Sequence, residues 1–212
     1  MDAEWFYRLV ESRRSVRRFR PEAPAREVVE RLLSAAVAAP SASNKQPWRF
    51  VVVARGETTR RMAEAVRAAV DRIARAVEPA FEPSFRAYGD YFTRFEDAPL
   101  VVVVLFRPMT LLSHMTGGRL EAGDQAAVGA MERDSGLAST ALAIENLLLA
   151  AHAEGLGASG MTGPLVAAND LRKILDVPPG WEFAALVPLG HPDEDPSPTT
   201  RKPADKVTRW IA

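Results

Sequence analysis

Seven consecutive apolar residues, Leu100–Phe106 (LVVVVLF), constrain this chain more than any other feature of its sequence. A strand with one solvated face alternates apolar and polar side chains, whereas a run with no polar position has to be covered on both faces. The run is shorter than an ordinary buried helix and is dominated by β-branched valine, so it reads as a strand. A layer of structure is therefore required on each side of it. Residues 48–53 and 183–189 carry two further strand patterns, and long amphipathic helical patterns separate the three. The expectation is an α+β fold, an α/β sandwich with a mixed sheet flanked by helices. At 212 residues, with no internal repeat, the chain reads as a single domain, 1–212.

The helical patterns follow from spacing. Phe6, Leu9 and Val10 make residues 2–11 a short amphipathic helix. Val28, Val29, Leu32, Leu33, Ala36 and Val37 give residues 25–38 a broad apolar stripe, which Pro40 ends. Residues 57–78 read as a surface helix, and residues 79–99 as an aromatic but irregular stretch. Leu137, Ala141, Ile144, Leu148 and Ala151 mark the strongest helix, ended by Gly155 and Gly157. A short helix over residues 169–175 is expected to be capped by Asn169 or Asp170. Residues 107–135, with Gly117 and Gly118, read as a long loop, and long loops of this kind often serve as lids over a site.

Composition narrows the function classes. Lysine plus arginine balances aspartate plus glutamate at 27 each, which argues against a protein that coats nucleic acid. The absence of cysteine excludes disulfides, thiolate nucleophiles and sulfur-ligated metal. His114, His152 and His191 lack metal-ligand spacing, so no metal is expected, and His152 reads as a structural histidine within a helix. The longest apolar run is far below the ~20 residues needed to span a bilayer, and no signal-like segment opens the chain, so a soluble cytoplasmic protein is expected.

Two segments stand out chemically. Arg13, Arg14, Arg17 and Arg18, with Ser15 among them, concentrate guanidinium forks that match phosphate oxygens. Arg201 and Lys202 form a second basic pair in the tail. Taken alone, the first block is more ordinarily a solvated charge run. The loop over residues 40–47 (PSASNKQP) offers small hydroxyls and amides that allow close approach to a planar polar ligand, although an ordinary polar turn has the same composition. Residues 155–160 match G-x-G-x-x-G, but they follow a helix instead of a strand, so the dinucleotide-fold reading is rejected.

In order along the chain, residues 13–17 (RRSVR), 40–48 (PSASNKQPW), 145–151 (ENLLLAA) with 155–157 (GLG), 189–192 (LGHP) and 201–203 (RKP) together resemble the nitroreductase family of FMN-dependent NAD(P)H oxidoreductases. The resemblance implies a mixed, mainly antiparallel sheet flanked by helices in a domain-exchanged homodimer, with FMN sites at the subunit interface. It implies that Arg13, Arg14 and Ser15 contact the phosphate and ribityl chain and that Arg17 lies at the pyrimidine edge. Pro40, Ser41, Ala42, Ser43, Asn44 and Gln46 would contact the flavin of the partner subunit. Gly160, Met161, Thr162 and Gly163 would lie over the ring, with a backbone N–H near Thr162 donating to N5, and Arg201 and Lys202 would complete the phosphate clamp. No side chain would be catalytic. Hydride would pass from NADH or NADPH through flavin N5 to a nitroaromatic, quinone or similar small acceptor by ping-pong kinetics. The alternatives are a flavin-binding redox sensor without turnover, or a specialised dehydrogenase, dehalogenase or flavin-fragmenting enzyme. Thr162 stands where the family often has glycine, and residues 107–135 match no part of the family pattern.

Overall fold

The structure, a computed structural model, describes residues 2–211. Four strands, β1 (Trp48–Ala54), β2 (Leu100–Phe106), β3 (Gly157–Ala158) and β4 (Glu182–Gly190), form one sheet in the order β1-β2-β4-β3. Every pairing between these strands is antiparallel. The parallel element is a single bridge, Ser15 to Ala158. Among the described residues seven α-helices accompany them: α1 (Ala3–Ser12), α2 (Arg26–Val37), α3 (Glu57–Ala74), α4 (Glu82–Gly89), α5 (Leu111–Thr116), α6 (Ala122–Ala153) and α7 (Ala168–Ile174).

The apolar run does what its composition requires. Every residue of β2 is buried, and its side chains sort by parity into two cores. Val101, Val103 and Leu105 join Met62, Val66 and Val70 of α3, Leu171 of α7, and Phe92 and Phe95. Leu100, Val102, Val104 and Phe106 join Val29 and Leu32 of α2 and Leu147 and Ala151 of α6. The period of two along the strand thus becomes a three-layer sandwich.

Four expectations need correction. Residues 107–135 are not a long loop: α5 occupies part of them and α6 begins at Ala122, extending the expected helix by four turns. Residues 122–131 are almost wholly exposed, so no apolar stripe marks them in the sequence. The aromatic stretch is regular as well, with α4 followed by a 3₁₀ turn (Asp90–Asp97) that buries Phe92 and Phe95 against α3. The face of α3 carrying Met62, Ala63 and Val66 is fully buried, so it is more than a surface helix. Finally, α7 begins one residue early with no side-chain cap, and Asp170 pairs with Arg72 and Lys173 instead.

Among the described residues, α6 alone is long and apolar enough to cross a membrane. Its Leu147, Leu148 and Ala151 are packed in the second core, and this accounts for its apolar character.

Candidate functional site

The segment after α1 is strapped along β3 and the chain just past β4. Ser15 bridges Ala158, and the Val16 amide donates to the Ala158 carbonyl at 3.1 Å. Further on, Phe19 bridges Pro192, the Arg20 amide donates to the His191 carbonyl at 2.9 Å, and the Asp193 amide donates to the Arg18 carbonyl at 3.0 Å. Glu194 accepts from the amides of Arg17 at 2.5 Å and Arg18 at 3.0 Å. The strap requires Gly157: a Cβ there would stand 2.6 Å from Val16 Cγ1 and 2.7 Å from Val16 Cβ. Residues 13–17, 157–163 and 189–192, distant in sequence, therefore meet in one place.

The chain turns from α1 into this strap over the C-terminal end of α6. Ser12 Oγ is 2.8 Å from His152 Nε2, and Arg13 Nε lies 3.9 Å from the Glu145 carboxylate. Arg14 Nη1 donates to the carbonyls of Glu11 and Arg13, leaving the rest of its guanidinium unengaged among the described residues. Arg17 is exposed, and its guanidinium has no carboxylate partner among them. His152 registers the resulting field. Its pKa is held below the ordinary value of 6.5, first by burial and then by the charges of Arg13 and Arg14. Guanidiniums, a half-buried serine and a local positive field suit an anion with several oxygens.

Three residues past the Ser15–Ala158 bridge, at most about 11 Å of chain, lies Met161. Its amide donates to the Leu186 carbonyl at 2.8 Å and its carbonyl accepts from the Leu186 amide at 2.9 Å. That pairing buries the Met161 side chain and leaves Gly160 and Thr162 on the surface. A flat ligand resting there would meet backbone and little else.

The loop over residues 40–47 is unusual in its backbone. Ser43, Asn44 and Gln46 have φ of 50°, 51° and 46°, in the left-handed region that non-glycine residues rarely adopt. Local bonds hold it: the Gln46 amide donates to Ser41 Oγ at 3.0 Å, and Gln46 Nε2 donates to Asn44 Oδ1 at 3.2 Å. The Ala42 amide reaches Ser139 Oγ on α6 at 3.2 Å. Pro40 and residues 42–46 are exposed, with Ser41 half-buried. Strain of this kind in a solvated loop persists where a function requires the shape.

The structure does not bring all the expected residues together within one chain. Ser139, which anchors the loop, and His152, which anchors the arginine strap, lie 13 positions apart on α6, about 20 Å along its axis. Arg201 and Lys202 are exposed in the tail, where Arg201 Nη1 donates to Thr199 Oγ1 at 2.5 Å. Among the described residues neither bonds to the strap.

Two features escaped the sequence. Glu132 on α6 is buried and accepts from the Leu112 amide at 2.6 Å, the Ser113 amide at 3.2 Å and the Ser113 hydroxyl. Those bonds, the Ser113 hydroxyl first, hold its carboxyl below the usual range despite burial. A carboxylate whose partners lie some 20 residues earlier has no local signature. Nor does a cavity of about 680 Å³ between Lys45, Pro47, residues 107–111, His114 and Gly180.

An antiparallel sheet between helical layers, with an arginine strap laid along its edge, makes the chain an α+β sandwich. The nitroreductase family model matches residues 10–191, and the chain belongs to that family. It is 32% identical to an NADH dehydrogenase of Thermus thermophilus, covering 93% of this chain and 92% of that protein. It is 34% identical to a 5,6-dimethylbenzimidazole synthase of Rhodospirillum rubrum, covering 88% and 82%. The fold matches a BluB-like flavoprotein from Clostridium difficile with a TM-score of 0.87 at 24% identity, covering 100% of both chains. It also matches a nitroreductase with bound FMN from Desulfitobacterium hafniense, with a TM-score of 0.73 at 23% identity and 97% of each chain covered.

Proposed function

We propose that the chain is an FMN-dependent oxidoreductase that passes hydride from NADH or NADPH to a small organic acceptor such as a nitroaromatic or a quinone. The observation that carries this reading is the strap: Arg13, Arg14, Ser15 and Arg17 lie against the strand that leads into Gly160, Met161, Thr162 and Gly163. In this reading Arg13, Arg14 and Ser15 bind the phosphate end, Arg17 stands at the pyrimidine edge, and the exposed backbone near Thr162 faces the ring. Bound FMN would supply the hydride acceptance and donation that no side chain here offers. The positive field felt at His152 and an Arg17 guanidinium with no ion-pair partner among the described residues fit an anionic cofactor.

The reading includes a homodimer with exchanged tails. Trp5, Phe6, Tyr7 and Val10 leave α1 with an uncovered apolar face, and Val207, Trp210 and Ile211 stand exposed in the tail. Strand β1 is a sheet edge. A loop anchored about 20 Å along α6 from the anchor of its own strap suits a site completed by a second copy, in which Pro40, Ser41, Ala42, Ser43, Asn44 and Gln46 of one subunit approach the flavin held by the other. Arg201 and Lys202 would join the phosphate after the exchange. Residues 1–212 act as one domain, with residues 107–135 the lid or substrate-access segment.

The identity to a 5,6-dimethylbenzimidazole synthase favours a second reading, an enzyme that consumes its own flavin. Anaerobic stopped-flow mixing of FMN-loaded protein with each nicotinamide separates the two. Rapid bleaching by NADH or NADPH is expected. A protein that binds FMN but bleaches with neither supports the second reading, and a protein that fails to bind FMN overturns both.

A further inference from the structure

The cavity beside β2 is charged in one sense only. Lys45 and Arg107 line it, His114 stands at its wall, and no carboxylate contributes to the lining. Neither Lys45 nor Arg107 has a carboxylate within ion-pair distance among the described residues, and nor does Arg49 behind them. Arg49 and Arg107 stack on one ring, with their guanidinium carbons 4.3 and 5.6 Å from the Trp181 centroid. Glu182, next to that tryptophan, is taken by Arg133 through bonds of 3.0 and 2.8 Å. Cations without a counter-ion among the described residues are free to pair with an anion entering the cavity. The remaining lining, Pro47, Pro108, Met109 and Leu111, is apolar.

The wall is also fixed in advance. The Arg107 amide donates to the Pro47 carbonyl at 3.0 Å, joining the two sides of the cavity. The Arg107 carbonyl lies so close to Gly136 of α6 that an added Cβ would approach it to 2.5 Å. The Met109 amide donates to the Glu132 carbonyl at 3.1 Å, and the Glu132 carboxylate holds Leu112 and Ser113. A preorganised basic cavity with apolar sides binds without first ordering itself.

We propose that this cavity binds a small organic anion, a carboxylate on a flat apolar body, with Lys45 and Arg107 on the carboxylate and Pro47, Pro108 and Leu111 against the body. All of these residues come from one chain and none belongs to the arginine strap; the inference rests on the reading that the segment after β2 lines substrate access, and a benzoate titration needs no nicotinamide, so its failure is distinguishable from that of the flavin reading. The test is heteronuclear NMR titration of the full chain with benzoate, its neutral isostere benzamide, and inorganic phosphate. Benzoate is expected to shift amides within residues 45–47 and 107–114, and to bind at least about tenfold more tightly than either comparison ligand. Lys45→Met and Arg107→Met should each weaken benzoate by about tenfold. Lys45 is an exposed loop residue, so its variant keeps the test valid should the Arg107 substitution disturb folding. Equal binding of benzamide or of phosphate, shifts confined to residues 13–17, or benzoate affinity unchanged in Lys45→Met would each overturn the proposal.

Discussion

Gly157→Ala tests whether the arginine strap is held as tightly as its geometry says. The new methyl would stand 2.6, 2.7 and 3.0 Å from Val16 Cγ1, Cβ and Cγ2. Because Cβ itself is among the clashing atoms, no rotamer of Val16 escapes, and the backbone of residues 15–17 has to lift. Overpacking of this kind costs about 1–3 kcal/mol. Weakening the Val16 amide to Ala158 carbonyl bond adds about 1 kcal/mol. The stiffer unfolded chain returns about 0.4–1 kcal/mol, leaving a net loss of roughly 1–3 kcal/mol. For a chain of this size each kcal/mol lowers Tm by about 2–4 °C. Val16→Ala, which removes two methyl groups from a side chain 7% exposed, costs roughly 1.5–3 kcal/mol alone. In the double variant the two Cγ clashes are gone while the 2.7 Å approach to the Cβ at position 16 remains, so its loss should fall short of the sum of the singles by about 1 kcal/mol. Urea unfolding of the four proteins measures the cycle. A neutral Gly157→Ala, or strict additivity, would refute the close approach and with it the reading of the strap as a rigid cradle.

Four further outcomes follow from the same structure. Glu132→Gln removes a carboxylate that accepts from three donors, so hydrogen exchange at the Leu112 and Ser113 amides should quicken by roughly tenfold or more while exchange in β2 is unchanged. Since His152 titrates below 6.5 when folded, the unfolded chain takes up that proton first as pH falls, so stability should drop below pH 6.5 and His152→Gln should flatten that slope. An anion bound at the strap should also raise the His152 pKa, as followed by its ring proton shifts, because it offsets Arg13 and Arg14. Ser43→Gly relieves a φ of 50° and should leave urea stability unchanged or raise it by up to about 1 kcal/mol; a clear loss of stability would show that the loop is not strained.

The sheet was readable because β2 has one explanation: seven apolar residues with β-branched character leave no alternative to a strand with two covered faces. Bounds for β1, β4 and α2 followed to within a residue or two from periodicity. The first half of α6 was invisible for the opposite reason. A helical stretch that buries almost nothing carries no stripe, and Ala126, Ala127 and Ala130 promote a helix through propensity alone. Within the candidate site, the order of the motifs announced the strap, but Gly157 and Val16 reveal their contact only in three dimensions. The left-handed residues of the loop could not be read from serine, asparagine and glutamine, which occupy ordinary turns as readily. Lys45 and Arg107 are 62 positions apart, and no rule of spacing joins them.

Helix α6 is the gauge of this molecule. Glu132 carries the cavity wall, Ser139 carries the strained loop, and Glu145 with His152 carries the strap, all on one 32-residue rod. One residue inserted between any two of these stations would turn everything beyond it by about 100° and advance it by about 1.5 Å, unseating one attachment as surely as deleting it. Length variation among descendants of this chain should therefore accumulate before Glu132, where the rod bears no load, and be absent between Glu132 and His152. The tail, with no station on the rod, is free to lengthen.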